Sequence, residues 1–74
     1  MPHISIKHFP VYLSQEDKDT LSLELIKVVK KMFNCKEDVI SISLEPIEKD
    51  KWNEKVYSPE IKFKKNFLIK SPNY

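Results

Sequence analysis

The pattern that most restricts how this chain can fold is a pair of alternating runs on either side of one helical stretch. Apolar and polar residues alternate from His3 to Phe9 and again from Val39 to Glu45, which is the period of half-buried β-strands. Pro10 and Pro46 end the two runs. Strands that are separated by a helix are expected to pair in parallel, because parallel pairing needs a long crossover. The sequence therefore predicts a β-α-β unit.

The helix between the two runs carries signals at both ends. Ser14 stands three residues before Asp17, the spacing of a capping box, so the helix should begin near Gln15. Asn34 follows Phe33 and can close a helix in the left-handed conformation without a glycine. Apolar residues recur at three- and four-residue steps, at Leu21, Leu25, Ile26, Val28, Val29, Met32 and Phe33. We expect this stripe to cover one face of the sheet.

The C-terminal third has weaker signals. The chain is charged and irregular from Ile47 to Tyr57, where a single helical turn is the most that the pattern suggests. Ser58 and Pro59 then indicate a new helix start, with proline at its favoured first position. Phe63 and Phe67 are four residues apart, which supports a short C-terminal helix that ends near Lys70. No repeat or linker divides the chain, so residues 1–74 are expected to form one domain of the α/β (α+β) class.

A chain of 74 residues is too short to bury a large core by itself. A disulfide cannot compensate, because Cys35 is the only cysteine. Cys35, His3 and His8 also lack the paired spacing of a structural zinc site, so we expect no metal. The remaining way to cover a two-stranded sheet is self-association, which predicts a homo-oligomer.

The charged residues restrict the partners. All 13 cations are lysines, because the sequence has no arginine, and it has no glycine either. Glycine-rich phosphate loops and bidentate guanidinium contacts are therefore excluded within this chain. Basic and acidic residues are interspersed, which is typical of a mixed solvated surface and does not call for a nucleic acid. With no membrane span or signal segment in the sequence, we expect a cytoplasmic protein without a membrane partner.

Pro2 is the residue with the clearest chemical potential. Removal of Met1 would leave a secondary amine at the edge of the first strand, held by its own ring. Such an amine is mostly protonated at neutral pH and cannot accept another proton in that form. Burial disfavours the ammonium form and so lowers the pKa of the amine. Apolar residues such as Ile40, Leu44 and Trp52 could supply that environment. The alternative interpretation is that a small second residue merely permits removal of methionine.

The order of these features resembles a known family. Pro2 followed by a strand, a capped helix, the second strand VISISLEPI and an aromatic near residue 50 is similar to 4-oxalocrotonate tautomerase. The segments PHISIKHFP, SISLEPI and LIKSPNY resemble the PptA subgroup of that family. The resemblance implies a tautomerase fold without a cofactor, in which the proline amine moves a proton between an enol oxygen and carbon. The extended tail, by resemblance to that subgroup, favours a dimer over a hexamer.

The resemblance also assigns binding residues, although this chain differs from the family at two of those positions. Pro2 corresponds to the catalytic proline, and Trp52 falls near the aromatic pocket residue. The two arginines that hold a carboxylate in the family fall near Tyr12 and Ile40, where this chain has none. Losing two ionic hydrogen bonds disfavours a dicarboxylate substrate. We therefore expect 2-hydroxydienoate or phenylenolpyruvate-like monocarboxylate enols, with the Tyr12 hydroxyl, a lysine or a backbone N–H at the polar end.

Other interpretations remain open. A single tryptophan in a small protein such as this one is often a core or interface residue. The missing arginines would also fit a non-catalytic interaction protein that keeps the tautomerase fold. The lysines near the C-terminus, with Phe63, Phe67 and Tyr74 among them, resemble a nucleic-acid platform, although a helix with a solvated face explains them more simply.

Overall fold

A computed structural model describes residues 1–74 and contains the predicted unit. Strand β1 spans His3–His8, helix α1 spans Gln15–Phe33 and strand β2 spans Ser41–Pro46. A π-helix spans Asn53–Lys62, and short 3-10 turns lie at Glu37–Val39, Lys49–Lys51 and Lys65–Phe67. Neither helix combines the length and apolar character that crossing a bilayer requires.

The two strands form a parallel sheet, as predicted. Ile4 pairs with Ile42 and Ile6 pairs with Leu44, so these four apolar side chains share one face of the sheet. The opposite face carries small or charged residues, among which Lys7 pairs with Glu45. The sheet therefore has one apolar face and one polar face.

Helix α1 has the predicted ends. The Ser14 hydroxyl accepts the Asp17 N–H at 3.0 Å, the Asp17 carboxylate accepts the Ser14 N–H at 3.0 Å, and Asn34 closes the helix at φ 50°. Leu21 lines a cleft between α1 and the sheet together with Ile42 and Leu44. Four apolar side chains of the helix are half-buried, at Leu21, Leu25, Ile26 and Val29. The predicted stripe is too wide for that face, since Val28, Met32 and Phe33 are 59%, 71% and 67% exposed.

The prediction for the C-terminal helix was wrong in its bounds. Helical structure begins at Trp52 and Asn53, with Pro59 in its interior, and Lys62 ends it. Its hydrogen bonds run from residue i+5 to residue i, as in the 3.1 Å bond from the Phe63 N–H to the Ser58 carbonyl. The wider turn accommodates Pro59, whose ring crowds the preceding turn of an ordinary helix.

Because the π-helix ends at Lys62, Phe63 and Phe67 do not lie on the same helix as predicted. Phe63 caps the π-helix and Phe67 ends a 3-10 turn, and the two residues are 80% and 82% exposed. The buried core consists instead of Ile47, just after β2, and Val56 of the π-helix, which are only 3% and 6% exposed. The best-packed part of the chain is therefore next to the carboxyl end of the sheet.

Candidate functional site

Pro2 lies at the amino end of the sheet. Its carbonyl accepts a 3.2 Å hydrogen bond from the Ser41 N–H, which is the first hydrogen bond of the ladder between β1 and β2. Because His3 pairs with Ser41, the parallel register places Ile40 opposite Pro2, and both residues are half-buried. A cavity of about 230 Å³ lies here and is lined by Met1, Pro2, Phe33 and Cys35. The Pro2 ring is thus fixed by the sheet, among mostly apolar neighbours.

A groove with aromatic walls lies at the opposite, carboxyl end of β1. The Phe9 and Trp52 rings meet edge to face, with centroids 5.1 Å apart, and the Trp52 indole N–H donates to the Tyr74 hydroxyl at 3.2 Å. With Lys7 and His8, these residues line a volume of about 500 Å³, which we call the aromatic groove. Its walls suit a flat apolar group.

A second groove shares His8 with the first and contains Tyr12. This volume of about 280 Å³ is lined by His8, Val11, Tyr12, Leu13, Lys18, Leu44 and Pro46. Tyr12 is 86% exposed in the loop before α1. The sequence pattern assigns Lys18 to the solvated face of α1 and gives it no role in a site. Its position in the first turn of α1, with a side chain directed toward the helix N-terminus, is the signal that could have identified it.

Lys7 supplies a second cation at this end of the sheet, and its charge is already paired. Its ammonium donates to the Glu60 carboxylate of the π-helix, and the two side chains are 26% and 35% exposed. This hydrogen bond raises the pKa of Lys7 above its usual 10.5, against an opposing effect of desolvation, and the charges of Glu60 and Glu45 raise it further. The floor of the aromatic groove is therefore close to neutral.

The histidines and the cysteine form no common centre. His3 shares a 2.6 Å hydrogen bond with the Ser41 hydroxyl, whereas His8 donates through Nδ1 to the Phe9 carbonyl at 2.7 Å. Cys35 lies in the cavity beside Pro2, which neither histidine lines. No three His, Cys, Asp or Glu side chains converge as metal ligands in the structure.

Within one chain, the predicted site residues fall into two separate groups. Pro2 and Ile40 lie at the amino end of the sheet, whereas Tyr12 and Trp52 lie at its carboxyl end. Pro2 precedes β1 and Phe9 follows it, so their backbones are about 23 Å apart at ~3.3 Å per residue. A single chain does not bring the Pro2 nitrogen to the aromatic groove.

Comparison with known proteins identifies the family. No protein-family model matches the chain. Tautomerase PptA of Pectobacterium carotovorum is 42% identical over 74 residues, which cover all of this chain and 97% of that protein. The chain belongs to the tautomerase family. The corresponding proteins of Pectobacterium atrosepticum and Enterobacter are 40% and 36% identical with the same coverage, which supports the PptA-like subgroup.

Membership of the tautomerase family makes this chain an isomerase, as the sequence predicted. The β-α-β unit with its two-stranded parallel sheet is also as expected. Three features of the site are additions from the structure: the second aromatic partner Tyr74, the Lys18 side chain beside Tyr12, and the ion pair between Lys7 and Glu60.

Proposed function

We propose that the processed chain is a cytoplasmic tautomerase whose Pro2 amine is the general acid and base for enol–keto conversion. In the full-length chain the Pro2 nitrogen is part of a peptide bond and cannot take a proton. Met1 is fully exposed, at 101%, so an aminopeptidase can reach it. The observation that carries the proposal is that membership of the tautomerase family coincides with a Pro2 ring held in the β-ladder.

The proposed reaction needs only one proton carrier. The neutral amine takes the proton from the enol hydroxyl, the electrons of the O–H bond form the carbonyl, and the double-bond carbon takes a proton from the resulting ammonium. The two transfers balance, so the amine is regenerated without a cofactor. In this proposal the apolar residues beside Pro2, Phe33 and Ile40, would favour the neutral form of the amine over its ammonium form.

The substrate that we propose is a monocarboxylate enol with an apolar tail, such as phenylenolpyruvate or a 2-hydroxydienoate. The aromatic groove around Trp52 has the shape and chemistry for that tail. The carboxylate would lie in the second groove, beyond the shared His8, where the Tyr12 hydroxyl and the Lys18 ammonium are polar groups available to it. Ile40, beside Pro2, would form an apolar wall at the reacting end.

The separation of Pro2 from Trp52 supports a site shared between subunits. We propose a homo-oligomer, in the first instance a dimer, in which Pro2 of one subunit faces the aromatic groove of the other. A monomer leaves large apolar side chains exposed, among them Val28, Met32 and Phe33. These side chains supply apolar surface for the contact between subunits. A dimer also supplies the burial that the small core of the subunit lacks.

The decisive experiment is the rate of phenylenolpyruvate ketonisation, followed by ultraviolet absorbance, in protein whose mass confirms removal of Met1. Pro2→Ala should lower kcat/KM by roughly 100- to 10,000-fold, the range that a general acid–base contributes. Pro10→Ala is the matched control, because Pro10 is exposed and lies outside both grooves. A Pro2→Ala enzyme as fast as the control would rule out Pro2 as the base.

A further inference from the structure

The Tyr74 side chain has a defined position in the C-terminal tail. Its hydroxyl oxygen lies 3.2 Å from the Trp52 indole nitrogen. An indole N–H can only donate, so the Tyr74 oxygen is the acceptor. Tyr74 is thus both a wall of the aromatic groove and the polar partner of Trp52.

The tail is held in place by packing against the π-helix. Leu68 and Pro72 are half-buried, and together with Tyr57 and Ile61 they line the narrow space between the tail and the helix. The Tyr57 and Tyr74 rings lie 6.0 Å apart at an angle of 39°. These contacts bring Tyr74 to Trp52 from a position 22 residues further along the chain.

Two contacts restrict the orientation of Trp52. Phe9 meets the indole ring edge to face, and the Tyr74 hydroxyl accepts the hydrogen bond of its nitrogen. The indole also lines the open groove of about 500 Å³, which has room for the ring to turn. Without the hydroxyl, the groove leaves the indole free to adopt other rotamers.

We propose that Tyr74 is a positioning residue, which holds the Trp52 indole in the orientation that receives the apolar part of the substrate. This inference rests on the proposed function, in which Trp52 lines the substrate pocket. Apparent affinity falls in proportion to the fraction of protein in the binding-competent rotamer. Removal of the hydroxyl should therefore raise KM and leave kcat unchanged, because the proton transfer at Pro2 is not altered.

Tyr74→Phe tests this directly, since it removes the oxygen and keeps the ring. Trp52 is the only tryptophan, so fluorescence excited selectively at the indole reports the surroundings of this one side chain. We expect stronger acrylamide quenching, lower anisotropy, and a KM for phenylenolpyruvate raised roughly three- to tenfold, the value of one net hydrogen bond. Tyr57→Phe is the control, because it removes a hydroxyl from the ring beside Tyr74 and leaves the Trp52 contact in place.

Several results would overturn the inference. A Tyr74→Phe protein with wild-type Trp52 quenching would show that the hydroxyl does not hold the indole. Changed quenching with unchanged KM would show that the orientation does not affect the substrate. A lower apparent kcat with unchanged KM would indicate loss of folded enzyme, which is a merely structural role.

A binding measurement separates this inference from the proposed function. The keto compound phenylpyruvate is titrated against Pro2→Ala and Pro2→Ala/Tyr74→Phe proteins, with Trp52 fluorescence as the signal. A Kd raised three- to tenfold by the second substitution supports the positioning role. If the wild-type protein converts no enol, that failure overturns the catalytic assignment alone, and the binding result still stands. Equal titrations of the two proteins would overturn the positioning role.

Discussion

Lys7 shows how one ion pair can connect the sheet to the C-terminal segment. It projects from the face opposite α1, and its pairing with Glu60 joins β1 to the π-helix, 53 residues later in the chain. The same pairing neutralises the one ammonium that borders the aromatic groove. Because the hydrogen bond to Glu60 raises the pKa of Lys7, the charged form is favoured in the folded protein.

This raised pKa predicts a pH window for the stability of the fold. A group with a higher pKa in the folded state contributes fully below its unfolded pKa, here 10.5, and loses its contribution as pH rises through the folded value. Lys7→Met should lower the Tm by a constant amount from neutral pH to about pH 10, and by less at higher pH. Thermal unfolding followed by circular dichroism at each pH measures this difference.

The control for this prediction is Lys27→Met. Lys27 pairs with Glu24 at 3.5 Å on the surface of α1, and the two side chains are 71% and 66% exposed. Such pairs contribute little, so this substitution should leave the Tm nearly unchanged. A difference between wild type and Lys7→Met that persists undiminished above pH 11 would contradict the assignment of the effect to the Lys7 charge.

At the scale of elements, α1 is specified largely by its own sequence. At its start, the reciprocal hydrogen bonds between Ser14 and Asp17 satisfy the backbone N–H groups of both residues. At its end, Asn34 closes the helix without a glycine. The π-helix, in contrast, has no side-chain cap and contains Pro59. Its stability depends on its packing around Val56 and on the bond from Lys7 to Glu60.

The capping box gives a prediction for the helix. Ser14→Ala should lower the free energy of unfolding by ~1 kcal/mol, because the Asp17 N–H loses its acceptor. Urea unfolding at fixed protein concentration measures it. Thr20→Ala is the control, since Thr20 is exposed in the interior of α1 and alanine is a better helix former there. If Ser14→Ala is as stable as Thr20→Ala, the cap does not contribute as argued.

At the scale of the whole molecule, the chain has far more exposed apolar surface than core. Only Ile47 and Val56 are buried, whereas large side chains on α1 and near the C-terminus remain open, among them Met32, Phe33 and Phe67. Exposed apolar area of this kind is typical of a surface that contacts another protein. A second copy would cover it and could also bring a Pro2 to the aromatic groove.

A shared site predicts complementation between two impaired variants, assayed at a substrate concentration well below KM. Pro2→Ala and Trp52→Ala proteins, unfolded together and refolded at equal concentrations, should regain about a quarter of wild-type activity, because half the dimers are mixed and each holds one intact site. Light scattering establishes the assembly in the same samples. A mixture no more active than its components would place each site within one chain, and monomers in light scattering would exclude the shared site.

The sequence by itself determined the β-α-β unit, its parallel pairing, the ends of α1 and the position of Pro2 at the edge of β1. These features follow from periodicity and from caps that join residues only three or four apart. The tertiary structure decided the extent of the π-helix around Pro59, the exposure of Phe63 and Phe67, and the separation of Pro2 from Trp52. It also decided the contact of Tyr74 with Trp52. All of these depend on contacts between residues far apart in the chain, which no local pattern specifies.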